Sequence, residues 1–169
     1  MTVLSTRRLE LRQLDAGDAP FMLELLNDPS FIANIGDRGV RSVVDAARYI
    51  QDRMIPSYAQ HGYGLYVVEL RATGAAIGIC GLVKRDYLDD PDIGFAFLPR
   101  FLGQGCALES ARSVSALAFE VLRLPRLLAI TSAHNTRSMH LLEKIGLRFE
   151  RTIIPPGEAR EIRLYTSDL

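Results

Sequence analysis

Leu98-Pro99-Arg100-Phe101-Leu102-Gly103-Gln104-Gly105-Cys106-Ala107-Leu108-Glu109 carries the chain from an apolar run to a helical pattern through two glycines. The run before it, Ile93-Gly94-Phe95-Ala96-Phe97-Leu98, reads as a strand, and Pro99, which has no N–H to give to a ladder, ends it. From Gly105 onward Ala107, Ala111, Val114, Leu117, Ala118, Val121 and Leu122 recur at helical spacing, until Pro125 stops them. Strand, glycine turn and helix start together make an anion cradle. The glycines let the backbone approach closely, and the free N–H groups of the first helical turn point at the ligand. The stretch therefore predicts a phosphate-binding loop.

Upstream, Thr6 to Leu14 has a partial period of two (Leu9, Leu11, then Leu14) and predicts a half-buried strand. Asp15, with Asp18 three residues on and Pro20 behind, starts a helix whose apolar face is Phe21, Met22, Leu25 and Leu26. Asn27-Asp28-Pro29 ends it. Ser42 with Asp45 resembles a capping box for a second helix through Val43, Ala47, Ile50 and Met54. Pro56 either kinks this helix or opens a short further one. Gly62–Leu70 and Ala76–Val83 read as strands about the turn Ala72-Thr73-Gly74. With Ile93–Leu98 they form a three-stranded antiparallel meander ahead of the glycine loop. The charged segment from Lys84 to Asp92 interrupts it. Downstream, Leu127–Thr131 reads as a buried strand, and Asn135 caps a helix with the apolar face Met139, Leu142 and Ile145. Gly146 closes that helix. Leu147–Ile154 and Ala159–Thr166 flank the turn Pro155-Pro156-Gly157 as two last strands.

A length of 169 residues suits one domain, 1–169, with a good core. Formal net charge is +0, which argues against a DNA partner. Charge near the N-terminus without a following apolar run argues against a signal peptide, and no stretch approaches the ~20 apolar residues that span a bilayer. Cys80 and Cys106 form no CxxC pair. A cytoplasmic protein with free thiols and no membrane partner is expected; a homodimer is left open. His61, His134 and His140 lack metal-ligand spacing, so no metal is expected.

Gly103-Gln104-Gly105-Cys106-Ala107-Leu108 begins like a dinucleotide fingerprint, but Leu108 stands where a third glycine belongs, and the loop follows a meander instead of opening a βαβ unit. No Gly-Lys-Ser/Thr is present for a Walker loop. What the stretch resembles is the Arg/Gln-x-x-Gly-x-Gly/Ala pyrophosphate loop of the GNAT acetyltransferases, here Arg100-Phe101-Leu102-Gly103-Gln104-Gly105. Asn135-Thr136-Arg137-Ser138, followed by Glu143-Lys144-Ile145-Gly146, resembles the family's Asn-x-x-Ser…Glu-Lys-x-Gly helix. The order of elements also fits, so the resemblance covers nearly the whole chain. The opening Thr6-Arg7-Arg8-Leu9-Glu10-Leu11-Arg12 is similar to the branch containing the ribosomal-protein N-terminal (alanine/serine) acetyltransferases.

The resemblance implies an α+β GNAT fold: a central mixed, mostly antiparallel seven-stranded sheet, flanked by about four helices and splayed at an acetyl-CoA site. It implies an N-acetyltransferase that moves acetyl from acetyl-CoA to a primary amine, a protein N-terminus or a small molecule, in a ternary complex. By the same resemblance the backbone of Phe97 and Leu98 pairs with the pantetheine arm. Gly103, Gln104, Gly105, Cys106 and Ala107 give amides to the pyrophosphate, and Arg100 adds charge. Asn135 bonds the pantetheine and Lys144 reaches a phosphate; a solvated helix charge is the competing reading of Lys144. The rival function is a non-catalytic acyl-CoA-binding module on the same fold.

Acyl transfer to an amine needs a held thioester, a neutral amine, a stabilised oxyanion and a route for the proton. Free lysine amines near pKa ~10.4 are mostly protonated at neutral pH, α-amino groups near ~8 less so, so a base or water relay is expected. Asp92, at the start of the third meander strand, is the candidate base, where the branch often has a glutamate. The competing reading is one more loop carboxylate. Leu142 occupies the position of a tyrosine acid found in many family members, leaving Ser138 as candidate acid or as a cofactor ligand. Cys106 at a helix start could be nucleophilic, but a small residue that simply fits there is the better account. Glu69 reads as structural or solvent-facing. Phe31, Tyr58, Tyr63 and Tyr87 are candidates to line the acceptor pocket, with core packing as the alternative.

Overall fold

The computed structural model describes residues 1–168. In chain order its strands are β1 (Thr2–Ser5), β2 (Leu9–Arg12), β3 (Leu65–Leu70), β4 (Ala76–Val83), β5 (Asp92–Phe97), β6 (Leu128–Ser132), β7 (Arg148–Ile153) and β8 (Ile162–Thr166). They form one sheet in the order β1-β2-β3-β4-β5-β6-β8-β7. Neighbours are antiparallel except β5 and β6, which run parallel. The sheet thus has eight strands where the sequence predicts seven. The extra one is β1, an edge strand too short to show alternation, folded back on β2 through Thr6–Arg8, with the Thr6 N–H donating to the Leu9 carbonyl.

The helices are α1 (Ala19–Leu26), α2 (Pro29–Asn34), α3 (Val43–Tyr49), α4 (Ile55–His61), α5 (Cys106–Ala116) and α6 (Thr136–Lys144). Asp15 and Asp18 make the reciprocal cap ahead of α1. Helix α2 was not expected. Asn27-Asp28-Pro29 does end α1, but Asp28 also caps the next turn, accepting from the N–H groups of Ser30 and Phe31, with Pro29 in first position. Helices α3 and α4 are one continuous rod joined by a π-helical turn, Ile50–Met54. Pro56 has no N–H, and its ring would crowd the carbonyl four residues back. The wider turn just before it absorbs that conflict without breaking the rod. A second π-helical turn, Leu117–Val121, ends α5 ahead of Pro125. Counting the α3–α4 rod once gives five helical segments over the described residues, against about four expected.

The sheet separates two cores. On one side α5 and α6 press Ala111, Val114, Leu141 and Leu142 against Leu9, Leu11, Tyr66, Val68, Leu82 and Ile93. On the other, α1 to α4 press Met22, Leu25, Phe31, Ala46 and Ile50 against Val67, Ile79 and Leu98. Strand β4 serves both faces, with a register shift between Val68 and Glu69 of β3 that turns Ile77 onto the α5 side.

The splay that positions the site lies between β5 and β6. Their only register pair is Asp92 with Leu128, beside a bond from the Leu128 N–H to the Pro91 carbonyl. Beyond it the strands part, and β6 continues with β8 over its full length. On its other edge β5 is held by β4 from Asp92 to Phe97. Strand β4 also lies close against the start of β3, because it carries glycines. A Cβ on Gly81 would lie 2.0 Å from the Gly64 carbonyl oxygen and 2.7 Å from Leu65 Cα, contacts no side-chain rotation relieves. We therefore expect Gly81→Ala to lower unfolding free energy by about 3 kcal/mol in urea titration. Gly94→Ala, whose Cβ would meet Leu65 Cδ2 at 3.4 Å, is expected to change it by about 1 kcal/mol or less.

Candidate active site

Beyond Asp92, the inner edge of β5 has no strand beside it among the described residues. The Leu98 N–H donates to Ile77 on β4, so by antiparallel alternation the N–H and C=O groups of Phe95 and Phe97 face the open side. Phe97 presents its backbone to the groove. Leu98 does not: its amide is committed to β4 and its side chain lies fully in the α1–α4 core.

The groove is a chain of three cavities. The first, of about 310 Å³, lies at the glycine loop, lined among others by Phe97, Gly103, Gly105, Cys106, Ala107 and Lys144. The second, also about 310 Å³, shares Phe97, Ala107, Arg137 and Leu141 with the first and extends along β5 to Asn135 and Ser138. The third, about 370 Å³, shares Phe95, Asn135 and Ser138 with the second and reaches Asp92. An extended ligand laid along the bare edge of β5 would connect the loop to the apex of the splay.

The loop end has the chemistry of an anion site. Gly103 and Gly105 have φ of 78° and 81°, a left-handed conformation that other residues rarely adopt. Helix α5 starts at Cys106 and its first backbone bond, Glu109 to Gly105, leaves the preceding amides free to point outward. Arg137 and Lys144 of α6 face this loop across the cavity. One sequence candidate, Arg100, turns elsewhere. Arg100 pairs with Glu24 at 2.5 Å and lies over the Phe101 ring. The Gln104 carbonyl accepts from Arg8 at 2.8 Å, and Gln104 lines none of the three cavities.

Arg8 was missed by sequence reasoning, as were Arg137 and His140, which line the loop cavity. Arg8 Nε donates to Glu109 Oε1 at 2.8 Å, its backbone N–H donates to Glu109 Oε2 at 3.0 Å, and a guanidinium nitrogen binds the Gln104 carbonyl. Thr6 donates to the same carboxylate. The β1–β2 turn thereby braces both the loop and the first turn of α5. The only signal in the sequence was a basic residue inside a motif read for its apolar pattern.

At the apex, Asp92 is buried (1% exposed) and accepts from Arg85 Nε at 3.0 Å. Burial pushes its carboxyl up to about 6, and the Arg85 guanidinium holds it from rising further. Such a group is ionised at neutral pH yet close to accepting a proton. Asn135 caps α6 by accepting from the Ser138 N–H at 3.2 Å, which leaves its amide nitrogen beside the groove. Ser138 is buried at the junction of the second and third cavities. Leu142 is buried in the core. Cys106 lines the loop cavity, while burial pushes the Cys80 thiol up to about 12. Of the four aromatic candidates, Tyr87 lines the third cavity and Phe31 the second. Tyr58 and Tyr63 pack in the core, Tyr58 stacked on Tyr66. Glu69 accepts from Arg12, which also binds Asp18.

Residues 8–148 match the family model of the acetyltransferase (GNAT) domain. The chain belongs to the GNAT acetyltransferase family. This acetyltransferase is 29% identical over 158 residues to YkkB, an uncharacterised protein of Bacillus subtilis (strain 168), covering 90% of this chain and 88% of that one. An acetyltransferase structure from Agrobacterium tumefaciens str. C58 matches with TM-score 0.82 and 25% identity, covering 98% and 93% of the two chains. The ribosomal L7/L12 α-N-protein acetyltransferase RimL, in complex with coenzyme A, shares the fold with TM-score 0.82 at 18% identity, over 98% and 97%.

The cofactor of the family, acetyl-CoA, fits the groove. The left-handed glycines and free amides of α5 suit a pyrophosphate, Arg137 and Lys144 add charge, and the bare edge of β5 suits an amide-bearing arm. Because Arg8 holds the loop from behind, Arg8→Ala is expected to raise the Kd for coenzyme A about tenfold by calorimetry. Arg8→Lys is expected to recover only part of it, since a single ammonium cannot span Gln104 and Glu109 together.

Proposed function

We propose that the acetyltransferase is an N-acetyltransferase: it moves acetyl from acetyl-CoA directly to a primary amine, of a peptide N-terminus or a small molecule, within a ternary complex. The observation that carries this is the run of cavities from the glycine loop along β5 to Asp92. The donor and acceptor ends meet where Asn135 and Ser138 are shared. That placement supports direct transfer, because no side-chain nucleophile needs to stand between the two substrates.

Bound acetyl-CoA supplies the activated acyl group as a thioester. Asp92 takes the proton that the amine loses, directly or through water, since its carboxylate sits at the acceptor end and its pKa near 6 suits a base at neutral pH. Asn135 orients the arm through its amide nitrogen. Ser138, at the junction of the second and third cavities, gives the proton to the departing thiolate. A base at the acceptor end favours catalysis over the reading of a binding-only module.

The test is release of coenzyme A thiol with a library of amines. At saturating acceptor, kcat is expected to fall below about pH 6, where Asp92 gains its proton. Asp92→Asn is expected to lower kcat by about 10²-fold and abolish that limb, with the Kd for coenzyme A unchanged. An unchanged profile would remove Asp92 as the base. The sign for stability is opposite. The folded pKa lies above the ordinary carboxylate value, so the folded state binds more protons between the two, and the wild type loses stability as pH rises through about 6. Asp92→Asn is expected to lack that loss in urea titrations at pH 5 and 8. Ser138→Ala with equal turnover would remove Ser138 as an essential acid.

A further inference from the structure

The acceptor end of the groove is richer in charge than a site for a simple amine requires. Three guanidinium groups line the third cavity, from three separate elements: Arg38 after α2, Arg85 before β5 and Arg160 in the β7–β8 turn. Two carboxylates, Asp92 and Glu158, line it with them. With both ionised the wall carries one positive charge in excess. Arg85 is already committed to Asp92 at the deep end. Arg38 and Arg160 are exposed at the rim, and neither forms an ion pair with a carboxylate among the described residues. The one bond Arg160 makes, to the Ala33 carbonyl at 3.2 Å, holds it over the end of α2.

An independent observation points into the same cavity. Ser132, at the end of β6, is 2% exposed, and its hydroxyl is a buried side-chain oxygen with no hydrogen-bond partner among the described residues. Such a hydroxyl costs free energy unless something satisfies it. Ser132 lines the third cavity and neither of the other two, so the partner it lacks among the described residues would come from a molecule bound there.

Resting on the N-acetyltransferase reading above, we propose that the acceptor is a carboxylate-bearing primary amine of amino-acid size. Its amine lies toward Asp92, its carboxylate against Arg38 and Arg160, and a polar atom meets the Ser132 hydroxyl. One carboxylate matches the single excess positive charge. The planar guanidinium groups suit two-point binding of a carboxylate. The cavity of about 370 Å³ lies at the lower end of the range for small-molecule sites and is too small for more than the first residue of a peptide.

Two measurements test this. In the first, binding of an N-acetyl-amino acid, the product analogue, is compared with its N-acetyl-amino amide by calorimetry; this reads the anionic subsite without any turnover. The acid is expected to bind at least about tenfold tighter. Arg38→Gln and Arg160→Gln are each expected to erase most of that preference while leaving the Kd for coenzyme A unchanged. Equal binding of acid and amide, or a preference that survives both substitutions, overturns the inference. In the second, turnover is measured with amino acids, their amides, the decarboxylated amines, and a short peptide with an acidic first residue. Free amino acids are expected to lead by kcat/KM. Faster turnover of amides or decarboxylated amines overturns the anionic acceptor but leaves the N-acetyltransferase reading standing. Faster turnover of the peptide overturns the size limit. No turnover with any amine, while acid still binds better than amide, defeats the transfer reaction and leaves the anionic subsite in place.

Discussion

Everything in the groove depends on two strands that are neighbours at only one point. Strands β5 and β6 meet at Asp92 and Leu128 and then diverge. Divergence exposes a row of backbone amides and carbonyls on β5 that an ordinary sheet would pair, and buried unpaired groups of this kind are costly. The fold tolerates them because they line a groove that an amide-bearing ligand can complete, as an added strand completes a sheet edge. The neighbours are firmly paired: β4 holds β5 along its length, and β8 does the same for β6. The opening is therefore rigid on both sides, and the course of the groove along β5 is set by the sheet.

That arrangement also explains the unusual state of Asp92. At the closing point of the splay a carboxylate is walled by strands on both sides, which strips water from it, while Arg85 reaches in from the preceding loop. Desolvation and a nearby cation act in opposite directions, and burial wins.

Much of this was legible in the sequence, and the parts that were not share a cause. The glycine loop, the β3–β5 meander and the Asn135 cap depend on local rules: positive φ, alternation, side-chain capping. They were found where expected. The parts that were missed depend on partners distant in sequence. Strand β1 exists because β2 offers it an edge. Arg8 belongs to the loop only because the β1–β2 turn folds over α5, a hundred residues on. A motif locates the backbone that approaches a ligand but not the direction of each side chain. Arg100 turns to Glu24 on α1, and Leu98 turns into the opposite core. Asp28 illustrates a milder failure, a turn signal that ends one helix and starts the next.

The π-helical turn at Ile50–Met54 has a consequence for tracing ancestry. A π turn holds one residue more than the α turn it replaces, so it is in effect a single-residue insertion inside a helix. Upstream, Ala46 faces the core; downstream, Met54 does as well, eight residues on, and both remain against the same sheet face. A relative with an unbroken α-helix here would keep those contacts with one residue fewer. Comparing the two without a gap would displace every position after the turn by one and set solvent-facing residues opposite core ones. A gap between residues 50 and 54 restores the correspondence, and its presence or absence separates relatives that carry the extra residue from those that do not.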